Sequence, residues 1–250
     1  SVATLNLARV GAAINVDGVA LTDTLNVTGT LAAGDITVSH ASVTGTADSA
    51  TVTVNGTVAA STLTFDTDVE TMNIVSSGDA SSMVLGLDAQ TTTLNITANA
   101  DLTTTGFTGA GVTSATITGA SDVDLAAFAA ATVTIDASAA TGDITVTAGA
   151  VADSGAATDV ADITVTGGTG DDTISVAAVV GDISLNAGAG DDTVTIGRAH
   201  VNAGAAEAGD VIAGGTGTDT LVADVDLVDT AAVTTALTGV SGFETLNLSG

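Results

Sequence analysis

The sequence predicts an all-β protein: a right-handed parallel β-solenoid (a β-roll or β-helix) with two strands in each coil of about 20 residues. The first observation behind this prediction is that short segments of alternating aliphatic and small polar residues recur along the chain. The second is the near-constant spacing of these segments over the 250 residues. The third is a composition of 45% hydrophobic but only 2% aromatic residues without proline, which favours thin core layers of small aliphatic side chains.

One kind of predicted strand has the pattern Thr-(aliphatic)-Asn-(aliphatic). It occurs at residues 4–7, 24–27, 71–74, 93–96 and 245–248, with looser relatives at residues 51–54 and 132–135. The period of two residues is that of a half-buried strand. The steps from Leu5 to Leu25, from Val52 to Met72 and from Met72 to Leu94 are nearly equal in length. These steps predict a single type of coil that repeats along the chain.

A second kind of strand often follows an aspartate. It occurs at residues 34–38, 142–146, 162–165 and 181–185. We expect this strand to be the partner of the first kind, so that each coil contributes one strand to each of two parallel sheets. The expected right-handed course follows from the crossover rule for parallel strands.

Some stretches depart from this pattern. Residues 121–131 predict either a short helix capped by Ser121 or Asp122, or an Asp-Val-Asp-Leu strand followed by an Ala-rich turn. Residues 226–239 predict a loop or a short helix, and the Gly- and Ala-rich residues 149–157 and 202–209 predict loops. We expect all four phenylalanines to pack in the core or at its ends: Phe65, Phe107, Phe128 and Phe243.

Three variants of one glycine–aspartate nonapeptide occupy residues 167–175, 187–195 and 214–222. Glycine permits the positive φ angles of a tight turn. The aspartate at the sixth position supplies a hard oxygen ligand, and the aliphatic residue two positions later can point inward from a short strand. The pattern therefore predicts a turn that can bind a cation, followed by a strand.

The aspartates of this region are regularly spaced, which predicts that they stack. The interval from Asp172 to Asp192 equals the interval from Asp162 to Asp182. We expect one stack of Asp172, Asp192 and Asp210, and a second of Asp162, Asp182 and Asp219. Carboxylates about 5 Å apart repel each other unless a cation lies between them. The alternative interpretation is that these are solvated Asp-Gly turn residues without an ion.

The nonapeptides resemble the RTX repeat, Gly-Gly-x-Gly-x-Asp-x-(large aliphatic)-x, of calcium-binding β-rolls. The resemblance covers about a quarter of the chain and implies that turn carbonyls and aspartates of successive coils hold Ca²⁺ between them, as six to eight oxygens would. Asp171 and Asp191, at the fifth position, are either outer ligands or solvated residues. The candidate metal ligands are Gly167, Gly168, Thr169, Gly170, Asp171, Asp172, Asp182, Ala187, Gly188, Ala189, Gly190, Asp191, Asp192, Asp210, Gly214, Gly215, Thr216, Gly217 and Asp219.

The chain as a whole resembles the lattice-forming region of bacterial surface-layer (S-layer) proteins of the Caulobacter type. This resemblance is carried by the Thr/Ala/Val/Gly-rich strands, the nonapeptides, and the closing segment at residues 240–247, whose Glu-Thr-x-Asn theme recurs at residues 69–74. It implies type I secretion, folding outside the cell on Ca²⁺, and Ca²⁺-dependent assembly at the bacterial cell surface. Attachment to cell-surface polysaccharide or lipopolysaccharide would use regions not present in this sequence, which we expect to be a piece of a longer chain.

Charge and composition exclude several classes of function. Twenty-nine acidic residues against two basic ones give a formal charge of −27, which disfavours binding to nucleic acid or anionic lipid and attracts cations. No apolar run approaches the roughly 18 residues of a membrane span. The chain has no Cys, Tyr, Trp or Lys, and we expect its two histidines, His40 and His200, to be exposed or in turns. We therefore expect that the protein is not an enzyme. The remaining catalytic alternative is a glycosidase or lyase site made of carboxylates alone.

These observations predict a structural extracellular protein. We expect residues 1–160 to form Thr/Ala/Val-rich coils, residues 161–225 the calcium-binding part, and residues 226–250 a closing loop and a terminal strand of the same solenoid. The expected partner is a further copy of the chain, in an S-layer or a related filament. The alternative function is a calcium-dependent adhesin or an ice- or surface-binding module, to which Thr-x-Thr steps such as residues 51–53, 145–147 and 164–166 point.

Overall fold

The computed structural model describes residues 4–8, 13–29, 35–41, 43–56, 58–65, 68–108, 111–154, 161–197, 200, 210–224 and 239–249. The chain divides into two compact units, Ser1–Ala129 and Ala130–Gly250. Within the described residues of both units, successive strands alternate between two parallel sheets. The prediction of an all-β parallel solenoid with two strands in each coil is confirmed.

The described residues of the first unit contain twelve strands. They are β1 (Thr4–Ala8), β2 (Ile14–Ala20), β3 (Thr24–Thr28), β4 (Ile36–Ala41), β5 (Ser49–Asn55), β6 (Val58–Phe65), β7 (Thr71–Ser76), β8 (Ser81–Gly86), β9 (Thr93–Ala98), β10 (Leu102–Thr108), β11 (Ser114–Gly119) and β12 (Val123–Asp124). The odd-numbered strands lie side by side in chain order in one sheet, and the even-numbered strands do so in the other.

The described residues of the second unit contain ten strands in the same arrangement. They are β13 (Thr134–Ala140), β14 (Ile144–Thr147), β15 (Ile163–Thr166), β16 (Thr173–Val176), β17 (Ile183–Ala189), β18 (Thr193–Ile196), β19 (Val211–Thr216), β20 (Thr220–Asp224), β21 (Val240–Ser241) and β22 (Thr245–Ser249). The strands that follow the nonapeptide turns, β16, β18 and β20, are neighbours in the even-numbered sheet. The topology therefore places the three turns one above the other.

The core follows from the alternation within each strand. In β7, Met72 and Ile74 are buried, while Thr71 and Asn73 on the opposite face are half-buried. The outward asparagines are linked between coils, because Asn95 donates a hydrogen bond from Nδ2 to Oδ1 of Asn73 at 2.9 Å. Aliphatic residues thus fill a thin interior, and small polar residues cover the sheets.

The strand register shows coils of unequal length. Leu5 pairs with Leu25 and Met72 with Leu94, at the predicted spacing. The predicted step from Val52 to Met72 is wrong, because Val52 pairs with Ile74, two positions further along the chain. Other steps are clearly longer, such as those in which Thr24 pairs with Thr51 and Thr134 with Thr164. The extra residues of these steps come between the strands in the sequence.

The structure decides between the two interpretations of residues 121–131. Val123 and Asp124 form a short strand, and residues 125–131 contain no helix. The predicted loop at residues 149–157 has no strand or helix over its described part, residues 149–154. The predicted loop at residues 202–209 lies outside the described residues, as does the stretch at 226–239 except for Gly239.

The strands that follow an aspartate do not all have the expected position. Two of them, β4 and β14, lie in the even-numbered sheets, whereas β15 and β17 lie in the odd-numbered sheet of their unit. They are therefore not a separate class of partner strand. An aspartate precedes strands of both sheets because both kinds of corner need a turn.

The aromatic side chains are mostly internal. Phe65 and Phe128 are buried, as predicted, and the rings of Phe128 and Phe107 meet edge to face with centroids 5.3 Å apart. Both histidines are also buried, so neither is exposed. The expectation of an exposed or turn position is wrong for His40, which lies in β4, whereas His200 donates its N–H to the carbonyl oxygen of Gly197, three residues back, as in a turn. His40 stacks on Phe65, and burial lowers its pKa. In the described part of the chain no helix is long and apolar enough to cross a membrane.

Candidate metal centre

The three nonapeptides and the segment before β22 bring four carboxylates into one row, at the corner that leads into the even-numbered strands of the second unit. We call this the inner row: Asp172, Asp192, Asp219 and Glu244. Each residue directly precedes a threonine that begins a strand, and these threonines pair with one another in register. The three aspartates are 0–1% exposed.

Hydrogen bonds run along the inner row from coil to coil. The backbone N–H of Asp172 donates to Oδ1 of Asp192 at 2.7 Å, and that of Asp192 donates to Oδ1 of Asp219 at 2.9 Å. The N–H of Asp219 donates to Oε2 of Glu244 at 2.8 Å. Each carboxylate thus holds the backbone of the neighbouring coil with one oxygen, which leaves the second oxygen for another partner.

The second oxygens of the inner row have different surroundings. Oδ2 of Asp172 accepts a hydrogen bond from the N–H of Gly168 at 2.7 Å. Oδ2 of Asp192 and Oδ2 of Asp219 are sealed from solvent and have no hydrogen-bond partner. A buried carboxylate oxygen without a donor is energetically costly unless a proton or a cation compensates it. These two oxygens are therefore the atoms of the inner row that a bound cation or a proton would stabilise most.

Burial also raises the pKa values of two aspartates of this row, Asp192 and Asp172. Loss of solvation raises the pKa of Asp192 to about 6, and the charges of Asp172, Asp219 and Asp171 add to the rise. Loss of solvation likewise raises the pKa of Asp172, although hydrogen bonds from Gly168 and Ile144 oppose it. The folded chain thus holds Asp172 and Asp192 in an environment that disfavours their charge.

A second row lies on the exposed side of the same corner. Oδ1 of Asp143 accepts the N–H of Asp171, Oδ1 of Asp171 accepts that of Asp191, and Oδ1 of Asp191 accepts that of Thr218, each at 2.8 Å. Asp143, Asp171 and Asp191, which we call the outer row, are exposed. Asp171 and Asp191 are therefore both solvated and engaged with the next coil.

The glycines of the turns allow this close stacking. Gly188 has a φ of +118°, and a β-carbon there would overlap the carbonyl oxygen of Gly168 in the preceding coil. At Gly214 a β-carbon would lie 2.6 Å from Oδ2 of Asp219, one of the two unpartnered oxygens. Glycine therefore brings the turn backbone against the carboxylates of the inner row.

The donor set fits a calcium ion if backbone oxygens take part. Among the described residues, no group of three or more His, Cys, Asp or Glu side chains is placed to hold a metal. Two carboxylates and the backbone carbonyls of residues 167–170, 187–190 and 214–217 remain. Such a set of hard, uncharged and charged oxygens is what Ca²⁺ accepts. The prediction that all three segments are turns is wrong in part, because residues 187–189 lie in β17 and residues 214–216 lie in β19, where the two strands pair.

The remaining predicted ligands lie at the opposite corner, before the odd-numbered strands. The predicted stacks are wrong in one respect, since Asp219 and Asp210 are exchanged. Asp219 adjoins Asp192, whereas Oδ1 of Asp210 accepts the N–H of Ile183, in the coil of Asp182. The reason is that the coil from Asp192 to Asp219 has 27 residues, so the interval from Asp192 to Asp210 is less than one coil and brings Asp210 to the opposite corner. Asp162 and Asp182 are adjacent, as predicted, with the N–H of Asp182 donating to Oδ2 of Asp162 at 3.1 Å.

The opposite corner already contains a candidate positive charge. Nδ1 of His200 lies 2.7 Å from Oδ2 of Asp210, and Nε2 lies 3.0 Å from the carbonyl oxygen of Val179. Both contacts are hydrogen bonds only if both ring nitrogens carry protons, because a carboxylate and a carbonyl only accept. Asp210 is thus paired with a side chain of this chain, and the inner row is the better candidate for a metal.

Sequence reasoning missed Glu244 as a member of the inner row. The signal that could have found it is the acid–threonine dipeptide, which Glu244 and Thr245 share with Asp172, Asp192 and Asp219 and their following threonines. No family model, curated protein or solved structure matches this chain. The inference of function therefore depends on the geometry of this site.

Proposed function

We propose that this protein is a structural extracellular protein whose solenoid is held together by Ca²⁺ at the inner row. The observation that carries the proposal is the pair of sealed, unpartnered oxygens on Asp192 and Asp219. Two carboxylates about 5 Å apart repel by about 3 kcal/mol at an effective dielectric constant of about 20. A divalent cation between adjacent coils replaces this repulsion with attraction.

The proposed assembly uses the edge of β22. Leu246 and Leu248 are 46% and 43% exposed, although they pair with the buried Leu221 and Ala223 of β20. They therefore occupy core positions that no further coil covers within the described residues. A strand of a second copy would bury them and pair with the edge of β22. Repetition of this contact gives the S-layer or extracellular filament that we propose.

The charge of the chain supports a role for calcium in the assembly as well as in the fold. At a formal charge of −27, copies of the chain repel each other, and bound Ca²⁺ reduces that repulsion. The proposed location is the bacterial cell surface, after type I secretion. Attachment to polysaccharide or lipopolysaccharide would involve regions outside this sequence.

Chelation tests the proposal. In EGTA, we expect assemblies seen by electron microscopy to disperse, and amides in residues 162–222 to lose protection from hydrogen exchange. Added Ca²⁺ should restore both. In the double variant Asp192→Asn, Asp219→Asn, EGTA should not change the hydrogen-exchange protection of residues 162–222, because this variant lacks the ionised pair that binds the ion.

The matched control is the double variant Asp79→Asn, Asp101→Asn. It removes the same charge from exposed positions of the first unit. We expect it to respond to EGTA and Ca²⁺ as the parent does. A parent protein that stays folded and assembled in EGTA would contradict the proposal.

A second candidate function is supported by one regular surface feature. Five threonines form a row along the even-numbered sheet of the second unit, paired in register: Thr145, Thr173, Thr193, Thr220 and Thr245. Such a row suits an adhesin or an ice- or surface-binding module. The adjacent row is less regular, because Val222 and Asn247 interrupt it. Thermal hysteresis of ice growth that disappears on replacing Thr193 and Thr220 by valine would favour this alternative.

A further inference from the structure

One asparagine of this chain stands before a glycine, at the corner that follows β5. Asn55 is the last residue of β5, and Gly56 has a φ of +60°. None of the other asparagines in the sequence precedes a glycine. A side-chain amide reacts most readily with the next backbone nitrogen when that residue is glycine, because glycine has no β-carbon to obstruct the approach. The pair is therefore the position of this chain most prone to a spontaneous covalent change.

The reaction open to this pair is a deamidation in two steps. The nitrogen of Gly56 forms a bond to Cγ of Asn55, while the bond from Cγ to Nδ2 breaks and ammonia leaves with the proton of the Gly56 N–H. The product is a five-membered succinimide ring. Water then adds to one of its two carbonyls, which gives either aspartate or isoaspartate at position 55. The reaction thus consumes only the chain itself and water.

In the folded chain, both reacting groups are held by one residue of the next coil. The N–H of Gly56 donates to the carbonyl oxygen of Asp79 at 3.0 Å. The N–H of Asp79 donates to Oδ1 of Asn55, also at 3.0 Å. The nitrogen of Gly56 must lose its proton in the reaction, and its hydrogen bond to Asp79 holds that proton. These contacts therefore oppose the reaction as long as the two coils stay together.

A glycine of the next coil also fixes the position of the Asn55 amide. Gly78 has a φ of +72°, and a β-carbon there would lie 2.5 Å from Oδ1 and 2.7 Å from Cγ of Asn55. The amide of Asn55 therefore lies directly against the backbone of Gly78. Only glycine allows this approach, which the hydrogen bond between Asn55 and Asp79 requires.

Deamidation would prevent this corner from closing again. The carbonyl oxygen of Asn55 accepts the N–H of Gly29 at 3.0 Å, and Asn55 pairs with Thr28 of β3. Isoaspartate adds a methylene group to the main chain at this point, which displaces the carbonyl from its partner. Either product also brings a new carboxylate beside Asp79, and like charges at short distance repel each other.

We propose that Asn55 is a deamidation site that the folded first unit keeps unreacted, and that it reacts when the contacts of Asn55 and Gly56 with Asp79 open. The change is irreversible, so it marks every chain in which this corner has been open. The site is independent of the inner row and of self-assembly, because all of its contacts lie within the first unit.

The unaltered full-length chain provides the first test. Peptide mapping by mass spectrometry gives the deamidation rate of Asn55, and NMR hydrogen exchange gives the opening of the Gly56 amide. In the folded protein Asn55 should react at least about tenfold more slowly than in the chain unfolded by urea, because only a small fraction of folded molecules is open at this corner. Equal rates in the folded and unfolded protein would overturn the proposal.

Urea concentrations below the unfolding midpoint sharpen this test. The deamidation rate and the exchange rate of the Gly56 amide should rise together, since both need the Gly56 N–H to leave Asp79. Deamidation that stays constant while this exchange accelerates would contradict the proposed protection.

A pair of glycine variants tests the contact with Gly78. In folded Gly78→Ala, Asn55 should deamidate faster than in the parent, because the new β-carbon displaces the amide. Gly18→Ala is the matched control: Gly18 has a φ of +75°, so alanine is similarly strained there, but no atom lies within 4 Å of its β-carbon position. It should leave the rate at Asn55 unchanged, and circular dichroism checks that both variants are folded. Equal rates in the two variants would overturn the protective role of the contact, and the urea series on the parent decides if Gly78→Ala does not fold.

Discussion

The pKa of Asp192 is set by surroundings that act in opposite directions. Its side chain is 1% exposed, and burial raises its pKa to about 6, with the charges of Asp172, Asp219 and Asp171 adding to the rise. The hydrogen bond from the N–H of Asp172 acts in the opposite direction. Without a metal, therefore, the folded chain binds a proton at Asp192 more tightly than the unfolded chain does.

The first prediction concerns the pH dependence of stability in EDTA. Because the folded pKa is raised above the unfolded value of 3.8, ionisation of Asp192 lowers stability as pH rises from about 4 to about 6. Relative to Asp192→Asn, the parent should lose up to about 3 kcal/mol over this window. Urea unfolding followed by circular dichroism measures the difference.

With saturating Ca²⁺ this relative loss should vanish or change sign, because the ion binds the ionised carboxylate. Parallel stability curves for the parent and Asp192→Asn in EDTA would show that the side chain is solvated in solution, against the structure. The variant also serves as the internal control, since all other carboxylates titrate in both proteins.

At the residue scale, the sequence predicts which residues are candidate ligands more readily than it predicts which residues are their neighbours. The nonapeptides correctly indicated that Asp172 and Asp192 stack. They could not place Asp219, because the number of residues in a corner does not follow from the spacing of aspartates. His200 was also unpredictable, since its burial depends on contacts with Asp210 and Val179 that no local pattern encodes.

Strand β22 shows what an uncovered coil exposes. Elsewhere in the even-numbered sheet of the second unit, the described inward residues are buried, as at Val194 and Leu221. In β22 the corresponding Leu246 and Leu248 are nearly half exposed. Burying the exposed parts of both side chains would contribute about 2 kcal/mol in all. Among the described residues, no strand covers this edge, which presents two apolar side chains.

The second prediction is that Leu246→Asn together with Leu248→Asn weakens self-assembly without unfolding the chain. The concentration needed for assembly should rise roughly 30-fold, the equivalent of about 2 kcal/mol. Light scattering after size-exclusion chromatography, together with electron microscopy, measures the effect in Ca²⁺.

The control for this variant is Val180→Asn, at a position that is 53% exposed and lies between β16 and β17. It removes an exposed apolar side chain away from the edge, so assembly should be unaffected. Equal loss of assembly in both variants would mean that general surface hydrophobicity, and not the β22 edge, drives association.

Element type could be predicted from the sequence, whereas register was less certain. Alternation identified the strands because a period of two residues separates the buried face from the exposed one. The same period permits a slip of two residues, which preserves the faces. Thr51 therefore pairs with Asn73 although the Thr-(aliphatic) pattern suggested Thr71. Only packing between coils decides between such registers.

The charge of the whole molecule acts on its stability and association. Twenty-nine acidic residues give a formal charge of −27, so the ion-free chain repels itself and its copies. Added salt screens exposed charges over about 10 Å at 0.1 M. Bound calcium acts at particular corners and is screened less.

The third prediction separates these two effects. In EDTA, raising NaCl from about 0.01 M to 0.15 M should raise the midpoint of thermal unfolding, because screening reduces self-repulsion. At constant ionic strength, Ca²⁺ should raise the midpoint further and Mg²⁺ should do so much less, because Mg²⁺ demands a stricter octahedron. Circular dichroism on heating measures both.

Equal effects of Ca²⁺ and Mg²⁺ on the unfolding midpoint would mean that calcium acts only by general charge neutralisation.

At the scale of the whole molecule, the fold class could be predicted from the sequence because one pattern, repeated many times, specifies it. The division into units at Ala129 and Ala130 could not, since the alternation continues on both sides of that position.

The unequal coils have a consequence for how such a chain can change. Thr24 pairs with Thr51 and Thr134 with Thr164 across long coils, yet neighbouring strands keep the parallel pairing seen in the short coil between Ile163 and Ile183. A corner can therefore gain residues while the strands on either side keep their parallel pairing. A foreign epitope or enzyme grafted at such a corner would therefore be displayed without a redesign of the interior of its unit.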